Sequence, residues 1–336
     1  MEFITEDMIV QFKTLLEKVD EPLKRSFQNI HQGYPTENLV RFLKARYGNV
    51  SEAHKMLVDC LNWRLQNDID NILAPIIPVD LYRAVRDSQL IGMSGYSKEG
   101  LPVIAVGVGL STYDKASINY YVQSHIQMNE YRDRVILPSA TKKFGRYIGT
   151  CIKILDMTGL KISALNQLKF LSVISTIDDM NYPEKTRTYY IVNAPYIFSA
   201  CWKVVRPLLQ ERTRRKVQVL SGSGKDELLK IMDYESIPHF CRREGSGSSR
   251  QSRNGTVGDC YSLYHSFHQQ LYNHVKQQAA LINHVAPVKQ GSFHVDFPEP
   301  DAKDVKIAKT IESEFRKLGN QKELSHSLRE LKIIGD

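Results

Sequence analysis

The 336-residue chain predicts an α/β fold: a small α-helical N-terminal region, then a mixed, mostly parallel sheet flanked by helices, then a helical C-terminal tail. Three observations carry that prediction. Between about residues 100 and 232, short apolar runs bounded by turn residues alternate with segments of helical periodicity. The first 75 or so residues show only helical spacing. A Gly/Ser-rich stretch, GSGSSRQSRNG at 245–255, separates the alternating part from a further helical pattern. The organisation that follows is 1–78 helical, 79–243 α/β, 244–260 a flexible linker and 261–336 a helical tail open to coiled-coil pairing.

In the helical region, Leu39, Phe42 and Leu43 share one face of NLVRFLKARYG, and Gly48 ends the helix. Continuing that face puts Arg46 on an apolar stripe, where a guanidinium either snorkels to water or finds a polar or anionic partner. Ser51 is placed to cap a second helix, whose face is Ala53, Met56, Leu57, Cys60, Leu61 and Arg64. After PIIPVD the rhythm changes. Strands are expected at 102–108, 150–156, 188–193 and 216–221, with helices at about 115–134, 163–180, 197–210 and 226–231 between and after them. Beyond the linker, Tyr264, Phe267, Leu271, Val275 and Ile282 keep helical spacing, as do Ile307, Ile311, Phe315 and Leu318. Alternating charges there favour a packed or self-associating helix over a membrane-binding one.

Composition is that of a soluble globular protein, with 42% hydrophobic and 24% charged residues. The N-terminus MEFITEDMIVQFK carries early acids and no long apolar core, so no signal peptide is expected. Five scattered cysteines without a Cys-x-x-Cys pair argue against zinc and a disulfide framework and for a reduced, cytoplasmic setting. The formal net charge of +8 points to an anionic partner, nucleic acid or a membrane surface. Lys203, Arg206, Arg212, Arg214, Arg215 and Lys216 face a single nearby acid, Glu211.

Catalytic signatures fail. There is no Gly-x-Ser-x-Gly elbow and no thiol-phosphatase loop. In SGSGKD (221–226), Val219 stands where a phosphate loop needs its first glycine, and Asp226 replaces the magnesium-holding Ser/Thr. His265, His268 and His274 lack carboxylate company and read as a solvated helix face, so neither a metal nor a cofactor is expected. Nucleic-acid motifs are missing too. The basic run is instead interleaved with Phe198, Trp202, Val205, Leu208 and Leu209, a helix apolar nearly all round that is either fully buried or meets hydrocarbon.

LVRFLKAR, NWR, ILDMTG, NYPEKTRTYYIVNAPYIFSACWKVVRPLL and RRKVQVL occur in that order, and over about residues 35–240 they resemble the CRAL-TRIO lipid-binding family, especially its phosphatidylinositol transfer branch. The resemblance implies an apolar pocket on a sheet floor, closed by a gating helix over 197–210 and holding one phospholipid, here phosphatidylinositol. It implies headgroup contacts from Arg46, Glu184, Thr213 and Lys216. Their chemistry suits the task, because cations pair with phosphate and a carboxylate accepts from inositol hydroxyls. Without lipid, Glu184 and Lys216 could pair with each other, and a purely structural ion cluster is the alternative for all four. Lys185 beside Glu184 is left unassigned, with solvent as its default.

Departures concern a second ligand. Tyr47 stands where several members carry a second base, and Cys151, Lys153 and Asp178 occupy the positions of the hydroxyls that serve phosphatidylcholine. Lys153 would repel choline unless it points away. The expectation is a non-enzymatic cytoplasmic carrier that visits membranes transiently and supports phosphoinositide signalling and trafficking, with a phosphoinositide kinase as candidate partner and no nucleic acid. The alternatives are an isoprenoid-like cargo or an adaptor using the tail.

Overall fold

A computed structural model describes residues 4–73, 79–161, 168–196, 198–242 and 258–281. The expected linker up to residue 257 and the stripes beyond 281 lie outside the described residues. Four helices open the chain: α1 (Glu6–Leu16), α2 (Glu21–His31), α3 (Pro35–Ala45) and α4 (Val50–Gln66). The predicted stripes are their core. Leu39, Phe42 and Leu43 of α3 and Ala53, Met56, Leu57, Cys60 and Leu61 of α4 are buried with Phe12 and Phe27. The cap of α4 is Asn49 rather than Ser51, because its side-chain oxygen reaches the Glu52 amide at 3.1 Å.

After α5 (Val79–Ser88) comes a strand the sequence reading did not predict, β1 (Ile91–Tyr96), antiparallel to β2 (Pro102–Gly107). Its sequence IGMSGY has two glycines and one serine, which hides the apolar run a strand normally shows. Gly92 is there for space: a Cβ would lie 1.9 Å from the Cys260 carbonyl oxygen. A long helical element follows as α6 (Ile118–Tyr131), one π-helical stretch (Arg132–Ile136) and α7 (Leu137–Phe144). Pro138 in α7 has no amide hydrogen for the preceding turn, and the π-stretch absorbs the mismatch. Then come β3 (Cys151–Asp156), α8 (Leu168–Asn181), β4 (Thr186–Val192), α9 (Phe198–Val205), α10 (Glu211–Arg214), β5 (Val217–Val219), α11 (Lys225–Ile231), α12 (His239–Arg242) and α13 (Ser266–Leu281). The five strands lie in sequence order, β2 to β5 parallel, so the sheet is mixed and mostly parallel as predicted. SGSGKD is the turn from β5 into α11, with Gly224 in a left-handed conformation.

Two apolar cores sandwich the sheet. On one face Val103, Ala105, Ile152, Ile154 and Val192 pack against Leu228, Met232, Phe240 and Cys241. Cys260, the last residue of the expected flexible linker, is buried instead and joins that core with Tyr261, and Phe267 and Leu271 of α13 join the other. His268 is buried at 2% exposure rather than on a solvated face. Burial and nearby Arg86 drop its pKa to about 3, keeping the ring neutral.

The N-terminal helices are bolted to the rest by charge. Arg64, 2% exposed, donates to both Glu130 carboxylate oxygens at 2.7 and 2.9 Å and to Asp70 at 2.6 Å. Arg134 meets Glu130 at 2.6 Å, and the Tyr182 hydroxyl donates to it at 2.7 Å. Burial opposes ionisation of Glu130, but Arg64 and Arg134 overcome it and depress the pKa to about 2. An unfolded glutamate titrates near 4.3, so this contribution is complete above that pH and is lost as pH falls toward 2. Glu130→Gln should therefore cost about 3–5 kcal/mol in urea unfolding at neutral pH and flatten the acid limb of the stability profile. Gly92→Ala should unseat the segment from 258 onward, read as faster amide exchange in α13 while the sheet stays protected.

Candidate functional site

The two faces of the sheet are covered unequally. On the face toward α6 and α8, Val106, Lys153, Leu155 and Tyr189, from the three central strands, are only half-buried. Central strands of a parallel sheet normally have both faces covered. Opposite them Leu171, Val173 and Ile174 of α8 are half-buried as well. An apolar surface is thus held open between β2–β4 and α8. The next helix along the chain, α9, carries Phe198 stacked on Trp202 with ring centroids 5.8 Å apart. Phe198, Trp202, Val205 and Leu209 are half-buried, whereas Lys203 and Arg206 are exposed; the Leu208 side chain lies outside the described residues. The predicted single helix over 197–210 is shorter: α9 gives way to a 3-10 turn at Arg206–Leu208, where Pro207 cannot continue an α-helix, and residue 197 lies outside the described residues.

At the amino ends of β3, β4 and β5 this surface gives onto a polar cavity of about 30 Å³. Its walls include Glu184, Thr213 and Lys216, three of the four residues expected at a headgroup, and Lys153 and Asp178 from the second-ligand set. Glu184 and Lys216 form an ion pair at 2.5 Å. Glu184 stands in a left-handed conformation, φ +57°, that a non-glycine residue adopts only when its surroundings impose it. Pro183 before it and the Lys216 pair after it supply that constraint.

Arg46 is not among the lining residues. It is the C-cap of α3, and its guanidinium donates to the Ala45 carbonyl at 3.2 Å. Arg212 donates to the same carbonyl at 2.9 Å and to the Asp179 carbonyl at 3.2 Å, and it reaches the cavity. Burial, then the like charge of Arg212, lowers the pKa of Arg46. Tyr47 is 65% exposed. Cys151 is fully buried behind the cavity, its Sγ donating to the Lys185 carbonyl at 3.5 Å. Lys185 is not a solvent residue: only 7% exposed, it pairs with Asp133 at 2.9 Å, because β4 begins directly beneath the π-stretch of the long helix.

Lys153 points into the cavity, with its ammonium 3.7 Å from Asp178 and 5.7 Å from the centre of the Tyr189 ring. Burial works against that ammonium, but Tyr189 and Asp178 outweigh it and hold its pKa above the ordinary lysine value. Burial likewise opposes the Asp178 carboxylate, yet His125 and Lys153 keep its pKa well below the usual range. Asp179 goes the other way: burial pushes its pKa up to about 6, with Arg212 only partly compensating. Arg132, Asp179, Lys185, Tyr189 and Arg212 were not anticipated at the site. Two signals were in the sequence: the triplet Arg132-Asp133-Arg134 inside a helix, and the pair Asp178-Asp179 ending an apolar one. Among the described residues no group of three His, Cys, Asp or Glu side chains could hold a metal ion, and no helix is long and apolar enough to cross a membrane.

This geometry coincides with two family matches. The CRAL/TRIO domain matches residues 86–241, and the CRAL/TRIO N-terminal domain matches residues 8–59. The chain belongs to the CRAL-TRIO family. Among its relatives, the phosphatidylinositol/phosphatidylcholine transfer protein SFH9 of Arabidopsis thaliana is 28% identical over 227 residues, 64% of this chain and 39% of that protein. The SEC14 cytosolic factor of Eremothecium gossypii is 28% identical over 212 residues, 60% of this chain and 66% of that protein. The matches thus span less than two thirds of either relative. The crystal structure of Sfh5 superimposes with a TM-score of 0.54 at 17% identity, covering 82% of this chain and 99% of that one, a likeness of fold alone.

The Asp179–Arg212 contact gives a direct test of the electrostatics. The Asp179 carboxyl should titrate near pH 6 by NMR. Arg212→Ala should move that midpoint higher, since the cation favouring the carboxylate is gone.

Proposed function

We propose that this CRAL-TRIO protein binds one phospholipid, phosphatidylinositol, and carries or presents it between membranes without covalent chemistry. The observation that carries the reading is the half-covered apolar sheet face opening onto a polar cavity with the Glu184–Lys216 pair. Each acyl CH₂ left in water costs about 0.8 kcal/mol, so a phospholipid crosses an aqueous space only with its chains shielded. The surface between β2–β4 and α8 offers that shield, with α9 as its gate. Lys203 and Arg206, exposed on and just after α9, suit contact with anionic lipid headgroups while the gate is open.

At the polar end, Glu184 would leave Lys216 to accept from inositol hydroxyls, and Lys216 and Thr213 would donate to headgroup oxygens. The family match and the similarity to a phosphatidylinositol/phosphatidylcholine transfer protein of Arabidopsis thaliana support a transfer role. A water-exposed working place, transient membrane contact and delivery to a phosphoinositide kinase belong to the same proposal.

Transfer of phosphatidylinositol between vesicles tests it. Glu184→Ala and Lys216→Ala should each slow transfer about tenfold or more, roughly 1.4 kcal/mol or more of lost binding. Arg46→Ala should have a smaller effect, acting through Arg212. Wild-type transfer by all three variants, with folded circular dichroism spectra, would overturn the headgroup assignment. Extraction of the purified protein should yield phosphatidylinositol; an isoprenoid in its place would keep the pocket and change the cargo.

A further inference from the structure

The cavity's charges are unevenly committed. Lys216 is taken by Glu184 at 2.5 Å, Lys185 by Asp133 at 2.9 Å, and Arg212 by Asp179 and two carbonyls. Lys153 makes no hydrogen bond among the described residues, and its only anionic neighbour, Asp178, stands at 3.7 Å. One Asp178 oxygen, Oδ1, already engages His125 at 2.7 Å and accepts from Asn129 at 2.7 Å, and the other, Oδ2, is the one that faces Lys153. Beside Lys153 on the cavity wall is Arg132, 4% exposed. Its Nε donates to Asp133 and its Nη1 to Asn129, but its Nη2 is buried without a partner among the described residues. Buried donors left in this state are costly and point to an acceptor that arrives with a ligand.

Position along the strand says what that acceptor is. From the carboxyl end of β3 toward its amino end, the side chains on this sheet face run from apolar Leu155 to Lys153 on the cavity wall, about 6.6 Å apart at strand spacing, and the cavity continues to the Glu184–Lys216 pair. A phospholipid has the same order: chains, phosphate, headgroup. The lining charges also fit. Among the lining residues Arg132, Lys153, Lys185, Arg212 and Lys216 outnumber Asp178, Asp179 and Glu184, an excess of positive charge that favours an anion.

We propose that Lys153 and Arg132 form an anion station on the inner wall of the cavity, which takes the phosphate of an anionic ligand and makes the pocket discriminate against choline headgroups. The exclusion has two parts. The Tyr189 face that could receive a quaternary ammonium is already covered by the Lys153 ammonium, and Asp178, the nearest carboxylate, holds His125 and Asn129 on one oxygen and faces the Lys153 cation with the other. This inference rests on the reading of the cavity as a headgroup site and adds the group that selects among headgroups.

The test offers the 336-residue chain vesicles of equimolar phosphatidylinositol and phosphatidylcholine and reads the bound lipid by mass spectrometry. Wild type should load phosphatidylinositol in large excess. Lys153→Met should cut the phosphatidylinositol-to-phosphatidylcholine ratio about tenfold or more, and Lys153→Arg should keep it within about threefold of wild type. Because Lys153→Met removes the cation facing the half-buried Asp178 carboxylate, the double variant Lys153→Met/Asp178→Asn should show the same fall with the fold retained. Inorganic phosphate without vesicles separates a free anion from a lipid headgroup: protection against thermal unfolding, abolished by Lys153→Met, would mark the station as serving free phosphate too. An unchanged lipid ratio in both methionine variants overturns the inference, and loss of loading in Lys216→Ala would then leave the functional reading standing. A wild-type protein that loads neither lipid overturns both.

Discussion

The rest of the molecule depends on the buried charge network centred on Glu130. Its partners come from three directions: Arg64 from the N-terminal helices, Arg134 from the next turn of the same long helix, and Tyr182 from the turn that leads into β4. Replacing such a network with apolar groups often raises stability, so its retention is not explained by energy alone. What it supplies is position. It fixes α4, the π-stretch and the Tyr182-Pro183-Glu184-Lys185 turn relative to one another. The left-handed Glu184 backbone is tolerable because its neighbours on both sides are already held.

From that anchor the site grows outward in layers of decreasing commitment. The π-stretch turns three consecutive charged residues to different tasks: Arg134 to Glu130, Asp133 to Lys185, and Arg132 to the cavity wall. A regular α-helix presents consecutive residues about 100° apart and would not aim all three inward as readily. The cavity then holds carboxylates of opposite character side by side. Asp178, surrounded by His125 and Lys153, is held well below the usual carboxylate range, whereas burial of the less well paired Asp179 pushes its pKa up to about 6. A binding site whose ion pairs can be exchanged for ligand contacts needs this mixture of fixed and loosely held charge.

Much of this was legible in the residues. The apolar stripes of α3 and α4, four of the five strands and the apolar helix beginning near residue 198 follow from periodicity. Glu184, Thr213 and Lys216 came from the resemblance of NYPEK and RRKVQVL to a known family. β1 escaped because Gly92 answers to the Cys260 backbone and Gly95 to Ser236, neighbours far away in sequence. Lys185 and His268 were given to solvent because a charged or polar residue near a turn or on a polar helix is usually exposed, and only packing buries them. Arg212 was counted in a basic run, while its partners Ala45 and Asp179 lie on two other helices.

The sequence by itself determined which segments become helices and strands, because the spacing of apolar residues is local and is read by local backbone geometry. It also marked Arg46, Arg64 and Glu184 as charges interrupting otherwise apolar patterns, without deciding whether each meets water or a partner. Only the tertiary structure decided how those charges pair, which sheet face stays half-covered, and that Lys153 and Arg132 keep donors in reserve. The physical reason is that ion pairing and desolvation are set by distances across chain separations of tens to hundreds of residues, and no periodicity along the chain encodes such distances.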